Sequence, residues 1–290
     1  MSGAVTHTLQ VPGAVLQYDV RESKPAGGPT LVMIGSPMPA SGFTALASCF
    51  ADHTVVTYDP RGMDRSERTD PAELVTPETH ADDVHAVIEA IGGGPVDMFG
   101  SSGGAVTALA LVAAHPDLVR TLVAHEPPAI SLLPDADNAL AACRAIYDTY
   151  QRAGFGAGMA QFIAFVSIQG PVPAEFATQP APDPARFGLP ADDDGTRTDL
   201  LLASNMLTVT AYRPDFDRLR SAATRIVPAV GADSRHAVAG RGGLAVAERL
   251  GTIPVEFPGG HGGFLGPDSQ PPGDPEAFAA RLREVLTAAT

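Results

Sequence analysis

An alternation through the first half of the chain constrains the fold most. Short apolar runs rich in β-branched residues, TLVMIG (30–35), TVVTYDP (54–60), VDMFGS (96–101) and VRTLVAHE (119–126), are separated by helix-patterned stretches at about 42–51, 79–91 and 103–114. Strands that are apolar on both faces belong in a parallel sheet covered on both sides, and right-handed crossovers carry their C-terminal ends to one edge. THTLQV and AVLQYDV, separated by Pro12-Gly13, predict an opening β-hairpin.

From Pro127 to about Pro214 the alternation stops. Helical patterns at 136–153 and 157–168 lead into the Pro- and Asp-dense stretch PVPAEFATQPAPDPARFGLPADDDG and a further helical run at 197–211. Strands resume at TRIVPAVG (224–231) and TIPVEFPG (252–259), with a helix around 241–250 between them and a last helix at about 275–288. The expectation is an α/β fold whose core comprises 1–126 and 215–290. Residues 127–214 would be inserted after the sixth strand as a helical cap over the sheet's functional edge.

The 290 residues, 44% of them hydrophobic, suffice for one such domain with an insertion. A formal net charge of −14 with no basic stretch argues against nucleic acid as a partner. The longest apolar run, AVTALALVAA, is too short to span a bilayer, and MSGAVTHTLQ lacks the basic and apolar regions of a secretory leader. A soluble, cytoplasmic protein without a membrane partner is expected; the sequence does not fix its oligomeric state. Cys49 and Cys143 read as buried free thiols rather than a disulfide or zinc site. His80 and His85 sit about 140° apart around a helix and cannot chelate one metal. Neither a metal nor an organic cofactor is expected.

The chemistry concentrates where VDMF runs into Gly100-Ser101-Ser102-Gly103-Gly104 and then an alanine-rich helix. A serine at so sharp a strand-to-helix turn takes a strained backbone conformation, and its neighbours two positions away must be small. Ser102 is the apex of this Gly-x-Ser-x-Gly pattern. Its hydroxyl would stand above the sheet, beside a helix N-terminus whose free Gly103 N–H favours negative charge.

With this turn, IGSPMPASGF (34–43), YDPRGMDRS (58–66) and PGGHGGFLG (258–266) make the chain resemble the α/β-hydrolase superfamily over nearly its whole length. The resemblance implies Ser102 as nucleophile and His261, framed by Gly259, Gly260, Gly262 and Gly263, as general base. It further implies an oxyanion hole from the N–H groups of Gly103 and Ser36; Pro37 has no N–H, and Met38 stays open as a donor. Ile34 stands where the family often has His. Asp64 replaces a turn glycine, as a residue able to take a left-handed conformation; Arg61 and Asp64 read as structural. His7, His53, His80, His85 and His115 read as packing, surface or capping residues, and His236 as a loop residue.

The acid has two candidates. In Gly231-Ala232-Asp233-Ser234 the aspartate falls one place before the position the family uses, and Ser234 stands there. Glu126, at the end of the preceding strand, is the alternative to Asp233. Serine at the apex argues against the epoxide hydrolases and haloalkane dehalogenases of this fold, which use aspartate. The implied activity is acyl-enzyme hydrolysis of a small or medium apolar ester or lactone. Carbon–carbon bond hydrolysis or perhydrolysis on the same triad, and ligand binding without turnover, are the alternatives.

Overall fold

Six parallel strands, extended at one edge by an antiparallel hairpin, organise the chain in the computed structural model, which describes residues 3–70 and 74–288. The strands are β1 (Val5–Val11), β2 (Ala14–Arg21), β3 (Thr30–Ser36), β4 (Thr54–Tyr58), β5 (Glu67–Arg68), β6 (Val96–Ser102), β7 (Val119–His125), β8 (Arg225–Gly231) and β9 (Val255–Phe257). They lie in the order β1-β2-β4-β3-β6-β7-β8-β9, with β5 paired to β2. The hairpin closes at Val11 opposite Ala14, where Gly13 has φ 75°. The parallel strands end at one edge, where residues following β3, β6, β7 and β9 can meet.

The helices are α1 (Thr44–Ser48), α2 (Pro77–Ala90), α3 (Gly103–Ala114), α4 (Ala136–Val166), α5 (Met206–Thr208), α6 (Phe216–Ser221), α7 (Val238–Leu250) and α8 (Pro275–Thr287). Side-chain alternation along β3 serves both faces of the sheet. Val32 and Ile34 join the cluster under α2 and α3 with Ile88, Met98 and Leu109, whereas Leu31 and Met33 join Leu46, Phe99, Phe278 and Leu282 under α1 and α8. Ile34, in place of the family's His, is therefore a core residue. A third cluster, including Ile146, Tyr150, Phe165, Leu202 and Met206, gives the segment between β7 and β8 its own apolar interior and reaches Val238 of α7.

The structure adjusts several expectations. The two-residue β5 makes the strand before Ser102 the sixth and puts the inserted segment after the seventh, not the sixth. The helical patterns at 136–153 and 157–168 form one path, α4, broken at Gly154 (φ 82°, ψ −174°). The run at 197–211 begins as a π-helical turn, Leu201–Asn205, followed by the short α5. β9 is only three residues long, between Pro254 and Pro258, neither of which can donate to a ladder.

The YDPRGMDRS turn serves as a bracket. Buried Asp59 accepts from Ala40 N–H at 2.8 Å and from Arg65 Nε at 2.6 Å, which fixes the loop after β3. Arg61 holds buried Asp83 through Nε and Nη2, and Asp64 takes φ 48°. No helix among the described residues is long and apolar enough to cross a membrane.

Candidate active site

Three non-glycine residues among those described have positive φ: Asp64, Ser102 and Glu126. Two of them, Ser102 and Glu126, lie at the C-terminal ends of the neighbouring strands β6 and β7. Ser102 (φ 56°, ψ −129°) turns β6 into α3, and the surrounding glycines permit that turn through their lack of a side chain. A Cβ on Gly100 would lie 2.9 Å from Gly104 O, and one on Gly104 would lie 2.4 Å from Ile34 O. A Cβ on Gly103 would lie 2.3 Å from Ser36 O, so the first turn of α3 sits directly against the end of β3, where Ser36 is the ladder partner of Ser102.

As the first residue of α3, Gly103 has an N–H outside the helix's own hydrogen bonding. In the loop after β3, Met38 N–H meets no acceptor among the described residues, and the Met38 side chain fills the space beside Gly35 and Gly42. Ser36 is buried, and its Oγ accepts from Asn205 Nδ2 at 3.0 Å.

His261 follows β9 on its glycine-rich loop. Its Nδ1 lies 2.6 Å from Glu126 Oε2; the imidazole is 45% exposed and the carboxylate 0%. The other carboxylate oxygen, Oε1, accepts from Gly231 N–H at 2.8 Å and from Ser234 Oγ–H. Burial alone would raise the Glu126 pKa. The hydrogen bond and charge of His261, with help from Ser234, outweigh it and hold the group at about 2. An ionised Glu126 accepts the Nδ1 proton, so the neutral ring carries its lone pair on Nε2. No hydrogen bond joins Ser102 Oγ to His261 among the described residues; such contacts commonly tighten only when substrate binds.

Of the two acids left open by the sequence, the structure brings Glu126 to the imidazole and leaves Asp233 exposed. The turn after β8 explains the choice. Asp233 N–H donates to Gly259 O, and Ser234, the residue at the family's acid position, points inward to Glu126. His236 is exposed, with its carbonyl accepting from Gly170 N–H.

Two residues escaped the sequence reading. His125, beside Glu126 on β7, is fully buried, with its Nδ1 3.3 Å from Ser101 Oγ and its ring stacked 6.2 Å from that of His261. Burial lowers its pKa to about 4, so it is neutral at physiological pH. A polar residue at an inward position of an apolar strand was the available signal. Asn205 gave none, because its place depends on the π-helical turn. Two clefts of about 570 and 390 Å³ lie within the inserted segment, and neither is lined by Ser102, Glu126 or His261.

The profile of the family described as alpha/beta hydrolase fold matches residues 27–209. The uncharacterized hydrolase YraK of Bacillus subtilis (strain 168) is 32% identical over 292 aligned positions, covering 96% of this chain and 95% of that protein. Among solved structures, a thermophilic esterase from Thermogutta terrifontis superimposes with a TM-score of 0.66 at 22% identity, covering 98% of each chain. A putative epoxide hydrolase from Pseudomonas aeruginosa does so with a TM-score of 0.66 at 19% identity, covering 98% of this chain and 95% of that one.

Proposed function

Because the chain belongs to the alpha/beta hydrolase fold family, we propose that it is a serine hydrolase working through an acyl-enzyme on a small or medium apolar ester or lactone. The observation that carries this reading is the buried Glu126 carboxylate bonded to His261 Nδ1 at the same sheet edge as the strained Ser102.

In this mechanism Nε2 of His261 takes the Ser102 proton as Oγ attacks the substrate carbonyl. The tetrahedral oxyanion is held by Gly103 N–H and by an N–H of the loop after β3, at Ser36 or Met38. The imidazolium formed meanwhile is stabilised by Glu126 and returns its proton to the leaving alcohol; water then repeats the sequence on the acyl-enzyme. Glu126 must stay ionised throughout, a state that the Gly231 and Ser234 donors support.

The inserted segment 127–214 acts as the cap that shapes the acyl pocket. Its phenylalanine, tyrosine and methionine content suits apolar substrates. Epoxide hydrolysis, the activity ascribed to the Pseudomonas aeruginosa neighbour, is set aside for this chain because a serine occupies the apex.

The test is hydrolysis of short-chain chromogenic esters and lactones by wild type and Ser102→Ala. Turnover that falls by about 10⁴-fold or more in the variant, with unfolding unchanged, is the expected result. Full activity in Ser102→Ala would remove the reading.

A further inference from the structure

Asn205 lies on the inserted segment, far in sequence from the sheet edge, yet its Nδ2 donates to Ser36 Oγ at 3.0 Å, and both residues are only 3% exposed. Ser36 is in turn the ladder partner of Ser102 and packs through its carbonyl on Gly103. One hydrogen bond thus joins the inserted segment to the strand end from which the loop carrying an oxyanion donor departs.

Three features show that this contact is built into the chain. The π-helical turn Leu201–Asn205 adds a residue to the helical path and so redirects the side chain at its end. Ser204 Oγ accepts from Val75 N–H at 3.0 Å and donates to Val75 O, and Thr208 Oγ1 also donates to Val75 O, so the turn is pinned to the loop before α2. Finally, the Oδ1 of Asn205 is buried with no hydrogen-bond partner among the described residues. An unmatched acceptor in the interior works against stability, so an asparagine here is a poor choice for packing alone.

We propose that Asn205 is a positioning residue: by holding Ser36 it sets the loop after β3 at the distance from Ser102 that the tetrahedral oxyanion requires. The inference deepens the serine-hydrolase reading and rests on it. The inserted segment would then take part in catalysis by fixing the oxyanion hole as well as by covering the substrate.

A packing role and a positioning role predict opposite pairs of results. Asn205→Leu, nearly isosteric and without polar atoms, should keep or raise Tm while kcat on a chromogenic ester falls roughly 10- to 100-fold, the scale expected of a small misplacement, with KM little changed. Ser36→Ala should show a similar fall, and the double variant should lose no more than either alone, because both remove one bond. Fluorophosphonate labelling of wild type, measured alongside, separates the two levels. If wild type neither labels nor turns over ester, the hydrolase reading and the role of Asn205 fall together. If wild type is active and Asn205→Leu matches its kcat, or loses Tm in step with kcat, or if the two single losses multiply in the double variant, the role of Asn205 alone is overturned.

Discussion

Glu126 Oε2 and His261 Nδ1 lie 2.6 Å apart, with the carboxylate wholly buried and the imidazole open to the sheet edge. A buried carboxylate is tolerated only with partners, and Gly231 N–H, Ser234 Oγ and His261 supply them. The same bonds that stabilise the charge orient the ring.

Replacing Glu126 with Gln keeps the shape and removes the charge that selects the tautomer. We expect kcat to fall by about 10⁴-fold, as loss of the correct tautomer does in related triads. Asp233→Asn should leave kcat near that of wild type, since Asp233 is exposed and away from the ring's acid contact. Steady-state kinetics on one ester distinguishes them; the reverse ranking would reassign the acid.

The glycines around Ser102 permit close backbone contacts as well as the turn. Gly104→Ala would set a Cβ 2.4 Å from Ile34 O and 2.7 Å from Gly35 Cα, so β3 and α3 must separate. Urea unfolding should show a loss of about 1–3 kcal/mol, the range for overpacked interiors, together with reduced turnover. Gly266→Ala, whose Cβ among the described residues would meet only Ala45 Cβ at 3.7 Å, should stay within about 0.5 kcal/mol of wild type.

Stability should fall with acid through two buried imidazoles. Desolvation lowers His80 to about 3 and His125 to about 4 from the ordinary 6.5. Below pH 6.5 the unfolded chain therefore binds protons that the folded chain refuses, and stability declines until His125 protonates in the folded state at about pH 4 and His80 at about pH 3. Glu126, held at about 2, adds a second loss below the ordinary carboxylate value of 4.5. His80 has neither ring nitrogen hydrogen-bonded among the described residues, so His80→Leu should lower the slope of unfolding free energy against pH between 6.5 and 4 by up to about 1.4 kcal/mol per pH unit. Urea titrations at several pH values measure that slope, and an unchanged slope would refute the assignment.

The parallel strands and the turn at Ser102 were legible because their signals are local: β-branched runs, a Gly-Ser-Gly pattern and a helix following it. Even the left-handed Asp64 followed from its residue type. The acid was not legible in the same way. Whether Glu126 or Asp233 reaches the ring depends on which residue of the turn after β8 points inward, and that follows from the pairing of β7 with β8 and from Glu126 N–H bonding Ala229 O. His125 left one sequence signal, a polar residue at an inward position of an apolar strand; its burial and its contact with Ser101 come only from the fold. The π-helical turn at Leu201–Asn205 has no residue signature, so the contact of Asn205 with Ser36 emerges only from the folded chain.

Intact-mass spectrometry after incubation with a fluorophosphonate, followed by peptide mapping, tests the central claim most directly. An activated Ser102 predicts one adduct per chain, located on Ser102, lost on heat unfolding and strongly slowed in Glu126→Gln. Folded protein that takes no adduct, or takes it on another serine, would contradict the account.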